Sequence, residues 1–282
     1  MTAERTRFFN TEEVVADVSV KIGQAVAQGV DVDWITFVPE GEPTLERGLA
    51  GQIEAVKKLG TPGNGFAPRT AVITNSSLLW DSEVREGLSG ADLVSVKIDA
   101  VSEEQWKAVD RPHGALRLEQ LLDGIMRFAS EYRGILWTET MLVAGVNDTP
   151  EELIAISDFL QKLKPGKCFL SVPIRPPAEG WVRPASEYRL GLGYHMLCEK
   201  GIAAELLIGY EGSEFARTGD PEEDLLSITS VHPMREDAVE KFLKETGGGK
   251  ELLDRLLKEG RLLEKVYGRN RFYLRSLERR QG

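Results

Sequence analysis

The chain has 282 residues, 41% of them hydrophobic, and a formal charge of −10. That is enough for one large α/β domain, or for one plus a small appendage, and too apolar for wholesale disorder. No apolar run approaches the roughly 20 residues that span a bilayer. The N-terminal Met1-Thr-Ala-Glu-Arg-Thr-Arg7 lacks the apolar stretch of a signal peptide, so the chain reads as cytoplasmic.

In chain order, Asn10-Thr11-Glu12-Glu13 is a helix start with Asn10 as cap and Glu13 three residues on. Val14, Val15, Val18, Ile22 and Val26 continue it at helical spacing, and Gly29 ends it. Trp34 to Val38 is a buried-strand pattern that runs into a loop holding Gly41, Glu42 and Pro43, and a helix follows from about Glu46. Residues 60 to 68 are a loop by their glycines and prolines. Strands then follow at about 70 to 77, 93 to 99, 134 to 143, 168 to 174 and 203 to 208, alternating with helices. Among these helices, Thr149 is read as a cap and Pro150 as the first helical residue. Arg111-Pro112-His113-Gly114 is read as a turn. Strand–helix alternation calls for parallel strands with right-handed crossovers. Glu42, Asn75, Lys97 with Asp99, and Arg175 fall at successive strand ends, as expected of a barrel whose site lies on its carboxyl face.

Cys168 and Cys198 have no metal-type spacing and read as two reduced core thiols. Charge is unevenly spread. Residues 232 to 282 hold 13 Lys or Arg against 9 Asp or Glu. Residues 211 to 228 read as an acidic connector. The tail 229 to 282 reads as two short helices and a basic hairpin, a winged-helix-like module. The expected divisions are therefore 1–210, 211–228 and 229–282. No Ser/His/Asp set, phosphate loop or zinc helix stands out.

Five ordered stretches together resemble the radical S-adenosylmethionine superfamily: Ile35 to Leu45, Thr74 to Leu79, Val94 to Asp99, Glu139 to Asp148, and Val172 to Pro177. The likeness covers about residues 1 to 210, and the subgroup most resembled is the iron–sulfur oxidoreductases related to tRNA wyosine-base synthases. It implies a partial (βα) barrel, binding of S-adenosylmethionine, and its reductive cleavage by a four-iron four-sulfur cluster fed by an electron donor. It further implies that the Gly41-Glu42-Pro43 segment receives the cofactor's amino group. Asn75, Lys97 and Asp99 would then lie around its ribose or carboxylate, or face substrate, and Glu139, Asn147 and Arg175 would serve similarly. Each also reads as a polar residue merely solvated at a strand end. Lys97 and Asp99, two apart on one strand, share a face and can simply pair.

The likeness departs at one place. The family holds its cluster with a CxxxCxxC loop after the first strand, and here no cysteine precedes Cys168. The first strand is missing as well. The expectation is therefore an N-terminally truncated, inactive member without a bound cluster. The alternative is a non-catalytic scaffold that touches RNA through Arg261, Lys265, Arg269, Arg271 and Arg275.

Overall fold

A computed structural model describes residues 2–38, 41–59, 68–207, 220–231, 233–267 and 270–276. The chain divides into two compact units. The first comprises Met1–Val26, Asp31–Pro173 and Trp181–Ile208, and the second Ala27–Val30, Ile174–Gly180 and Gly209–Gly282.

The first unit is a six-stranded, all-parallel sheet in sequential order. Its strands are β1 (Trp34–Phe37), β2 (Arg69–Thr74), β3 (Leu93–Lys97), β4 (Ile135–Met141), β5 (Lys167–Ser171) and β6 (Ala204–Leu207). Helices α1 (Thr11–Ala27), α2 (Leu49–Lys57), α3 (Ser82–Leu88), α4 (Glu103–Asp110), α5 (Leu118–Glu131), α6 (Pro150–Leu163) and α7 (Glu187–Glu199) precede, connect or follow them. Sequential parallel order with helical crossovers is the arrangement of a partial (βα) barrel.

Local chemistry accounts for most element boundaries. Asn10 Oδ1 accepts from Glu12 N at 2.8 Å and caps α1. Thr149 caps α6 with Pro150 in the first turn. Strand β3 is buried on both faces at Leu93, Val94, Ser95 and Val96, as a central parallel strand must be. Val94 and Val96 pack into one apolar core with Ile53, Leu79, Ile125, Phe128, Leu142 and Leu160. Fully burying each such side chain contributes roughly 1.5–3 kcal/mol. Helix α5 approaches the end of β2 closely. A Cβ at Gly124 would meet Trp80 N at 2.4 Å, so only glycine fits there.

Several boundaries differ from expectation. After β1 the chain first makes a 3-10 turn, Pro43–Leu45, and α2 starts only at Leu49. Of the α1 stripe, Ile22 alone is buried, while Val14, Val15, Val18 and Val26 are half-buried. Cys168 is buried, but Cys198 is exposed: the outer face of α7 carries it, so it is not a core thiol. The loop expected at 60–68 falls almost wholly outside the described residues, as does His232.

The second unit contains α8 (Pro221–Val231), β7 (Met234–Arg235), α9 (Glu236–Thr246), α10 (Gly249–Lys258), β8 (Leu262–Tyr267) and β9 (Asn270–Arg275). Its sheet is antiparallel in the order β7-β9-β8. A core of Leu225, Met234, Val239, Phe242, Leu256, Leu262 and Tyr273 holds it together. Helix α8 lies partly within the stretch read as a connector. Its start has the acidic first turn and leading proline that suit a helix N-terminus. Among the described residues, no helix is long and apolar enough to cross a membrane.

Candidate functional site

The carboxyl edge of the first sheet gathers polar groups strand by strand. At the end of β1, Glu42 is extended (φ −137°, ψ 118°) and caps the 3-10 turn. Its Oε1 accepts from Thr44 N (3.1 Å), Thr44 Oγ1 (2.6 Å) and Thr74 Oγ1 (2.5 Å), and its Oε2 from Asn75 N (2.7 Å). The residue is buried. Burial pushes its carboxyl above the ordinary range, while these four hydrogen bonds oppose the rise. Glu42 thus fastens the loop after β1 to the end of β2.

The same loop is held from outside by residues that sequence reasoning missed. Glu46 is buried and accepts from Phe8 N (2.7 Å), Phe9 N (3.1 Å) and Gly48 N (2.5 Å). Arg5 donates to Thr44 O at 3.1 Å and pairs with Asp81 and Glu83. Three buried or half-buried charged groups therefore set the position of five residues of loop.

At the end of β2, Asn75 is exposed and its Oδ1 accepts from Ser77 N at 3.0 Å. Ser76, fully buried, has φ 67°, and its hydroxyl donates to Lys97 O at 3.1 Å. A non-glycine residue in this left-handed region is strained and is held by its surroundings.

The centre of the edge is on β3 and β4. Lys97 stands in register with Glu139. The ammonium of Lys97 lies 3.5 Å from Asp99 Oδ2, so the pairing expected from their two-residue spacing is present. Asp99 is buried; its Oδ1 accepts from Met141 N at 2.7 Å, while Oδ2 has no hydrogen-bond partner among the described residues. Glu139 Oε1 accepts from Ser171 Oγ at 2.9 Å, which ties in β5. Lys97 is held above its ordinary value by Asp99 first, against desolvation, with help from Glu139 and Asp110.

Asp110, at the end of α4, is a third residue the sequence did not reveal. Burial, the adjacent Asp99 charge and a hydrogen bond with Asp99 push its carboxyl up to about 8, and Lys97 pulls the other way. Asp110 keeps open surface, so water weakens the first of these causes. A protonated Asp110 supplies the donor that Asp99 otherwise lacks. The carboxyl groups of Asp99, Asp110 and Glu139 therefore gather about one ammonium, that of Lys97.

Asn147 shapes this cluster from behind. It is fully buried, its Nδ2 donates to Asp99 O (2.7 Å) and Met141 O (2.8 Å), and its Oδ1 accepts from Val143 N (2.7 Å). All its donors and acceptors serve the backbone. Lys97, Asp99 and Glu139 therefore lie together at the ends of β3 and β4 with Asn147 behind them, while Glu42 and Asn75 meet each other at the ends of β1 and β2. Arg175 belongs to the second unit.

In the second unit, the hairpin residues read as RNA contacts are largely matched by acids. Arg261 pairs with Glu222 and Glu259, and Arg271 with Glu264 and Glu236. Lys265 and Arg275 are exposed, and Arg269 lies outside the described residues.

No protein-family model matches the chain. A radical SAM methyltransferase from Sphaerobacter thermophilus has a similar structure, with TM-score 0.56 and 19% identity over 72% of this chain and 59% of that one. SuiB from Streptococcus suis, solved with S-adenosylmethionine bound, matches at TM-score 0.50 and 15% identity, covering 70% of this chain and 43% of that one. The six-stranded parallel unit therefore has the partial-barrel fold found in radical SAM enzymes. In sequence, the UPF0026 protein of Methanocaldococcus jannaschii is 35% identical over 283 aligned residues, which cover 99% of this chain and 85% of that protein. On that near full-length identity, the chain belongs to the UPF0026 family.

Proposed function

We propose that this protein is of the radical S-adenosylmethionine type and that the carboxyl edge of its first sheet binds S-adenosylmethionine. The observation that carries the reading is the Lys97–Asp99–Glu139 cluster. It sets a buried carboxylate that accepts one backbone hydrogen bond among three acids and a single ammonium, at the strand ends where such barrels bind ligands. S-adenosylmethionine brings a sulfonium, an ammonium and a carboxylate. Asp99 and Glu139 suit the cations, Lys97 suits the carboxylate, and backbone carbonyls of the Gly41–Pro43 segment suit the ammonium. Fold likeness to SuiB supports the choice of ligand.

The four-iron four-sulfur cluster that the family resemblance implies does not fit these residues. It is held by the three thiolates of a CxxxCxxC loop, and the 282 residues contain two cysteines 30 apart. Cys168 is sealed inside β5, where burial pushes its thiol up to about 11, and Cys198 is exposed on α7. No step is therefore assigned through a cluster, and reductive cleavage by these residues alone is not part of the reading. The wyosine-type subgroup and a winged-helix-like second unit belong to the same proposal, supported by the sequence likeness and by the order of elements from α8 to β9.

Calorimetric titration tests the binding claim. S-adenosylmethionine should bind with one-to-one stoichiometry, and about tenfold tighter than S-adenosylhomocysteine, which lacks the sulfonium charge; tenfold is about 1.4 kcal/mol. Equal affinity for the two, or binding of neither, would defeat it.

A further inference from the structure

Strand β1 forms one edge of the parallel sheet, with β2 on one side and, among the described residues, no strand on the other. Arg69 N donates to Asp33 O at 3.0 Å, which sets the phase of the ladder. Asp33, Ile35 and Phe37 bond to β2, and the N–H and C=O groups of Trp34 and Thr36 point out of the sheet. Val38 follows in the same outward phase. Outward groups of this kind are a template for another strand, and natural edges are blunted by charge, proline or a bulge. Trp34 to Val38 carries none of these. The opposite edge, β6, carries Glu205, which pairs with Lys167 at 2.9 Å.

The strand is also complementary to itself. Two copies related by a twofold axis normal to the sheet pair antiparallel, and residues opposite each other must then share one phase of the strand, because both Cβ atoms of a pair leave on the same side. With the axis at Thr36, the two copies of Thr36 exchange both N–H···O bonds, and Trp34 of each copy bonds with Val38 of the other. Every outward group is used, and the ladder to β2 is untouched. The side chains match as well. On one face Trp34 stands beside Val38 of the second copy, with the two threonines between the two such pairs. On the other face Ile35 stands beside Phe37 of the second copy. Aromatic–β-branched and Thr–Thr neighbours are stabilising cross-strand pairs, and no like charges are opposed along this stretch. Thr36 is exposed and Val38 is 41% exposed, so the surface that would be covered is open in the single chain.

We propose that β1 is a docking edge for a second copy of this chain, paired antiparallel about Thr36. The proposal stands on the strand alone and is independent of the ligand bound at the other strand ends.

Sedimentation equilibrium on the full chain tests it. A pairing this short makes a weak dimer, with a dissociation constant on the order of 10 μM, so the chain should be mostly dimeric at about 100 μM. Thr36→Lys sets two ammonium groups opposite each other at the axis and should weaken the dimer at least tenfold, whereas Thr36→Val should keep it. Both should retain the circular dichroism of wild type, because Thr36 is exposed. Thr36→Cys combined with Cys198→Ser, which removes the exposed thiol, should cross-link to a dimer under oxidised glutathione. The Cα separation of about 5.5 Å in a hydrogen-bonded antiparallel pair lies within disulfide reach. A monomer at about 100 μM, a dimer unchanged in a folded Thr36→Lys chain, or a dimeric Thr36→Cys chain that does not cross-link would overturn the proposal.

Discussion

Two carboxylates stand at strand ends on one edge of the sheet, separated by β2, and do opposite things. Glu42, after β1, is enclosed by four donors from Thr44, Thr74 and Asn75. Asp99, after β3, accepts one backbone bond and otherwise faces only Lys97 at 3.5 Å and the carboxyl of Asp110. Both are buried, so burial alone does not mark a ligand-binding acid. What separates them is satisfaction. An acid whose lone pairs are all taken by its own fold is part of the frame, while one left short is poised for a ligand or a shared proton.

Breaking the frame should produce the largest effect. Glu42→Ala leaves the Thr74 hydroxyl and two backbone N–H groups without their acceptor, and should cost about 3 kcal/mol of unfolding free energy in urea denaturation. A variant as stable as wild type would remove the contrast with Asp99. Gly124→Ala puts a methyl against Trp80 N and Leu79 O on the loop that follows the β2 edge. Overpacking of this kind should cost about 2 kcal/mol, seen as a lower thermal midpoint.

A smaller effect tests the shared proton. The carboxyl of Asp110 is raised in the folded state, so the folded chain holds that proton more tightly than the unfolded chain. Its contribution is greatest below the unfolded value near 3.8 and declines as pH rises through about 8. Asp110→Asn should therefore flatten the fall of stability between about pH 4 and 8 relative to wild type, measured by denaturant titrations across that range. Parallel curves would show that Asp110 does not share a proton with Asp99. Lys97 needs no such test at neutral pH, because its raised value keeps it charged throughout.

Much of the fold was legible because parallel strands buried on both faces are written as short apolar runs. Leu93 to Lys97 is the clearest case. The Lys97–Asp99 pair was legible for a related reason: a spacing of two puts side chains on one face. The cap residues Asn10 and Thr149 were legible from their type and position.

What was missed was non-local. Asp110 meets Asp99 across a helix, and nothing near it in sequence signals that meeting. Arg5 and Glu46 act over some 40 residues of separation. Glu42 illustrates a pattern that two roles share. Its strand-end position suggested a ligand, yet an acid followed by Pro43 and Thr44 is also the pattern of a turn cap, and the cap is what forms. Cys198 shows that helical spacing alone leaves the buried face ambiguous when a helix is only partly covered, as α7 is.

The most direct measurement is calorimetric titration of S-adenosylmethionine into the wild-type chain and into Asp99→Asn. Asparagine keeps the oxygen that accepts from Met141 N, so the fold should hold and the thermal midpoint should stay close to wild type. Removing the charge should weaken the ligand about tenfold, or about 1.4 kcal/mol. An unchanged affinity in a folded Asp99→Asn chain would contradict the assignment of this strand end as the binding site.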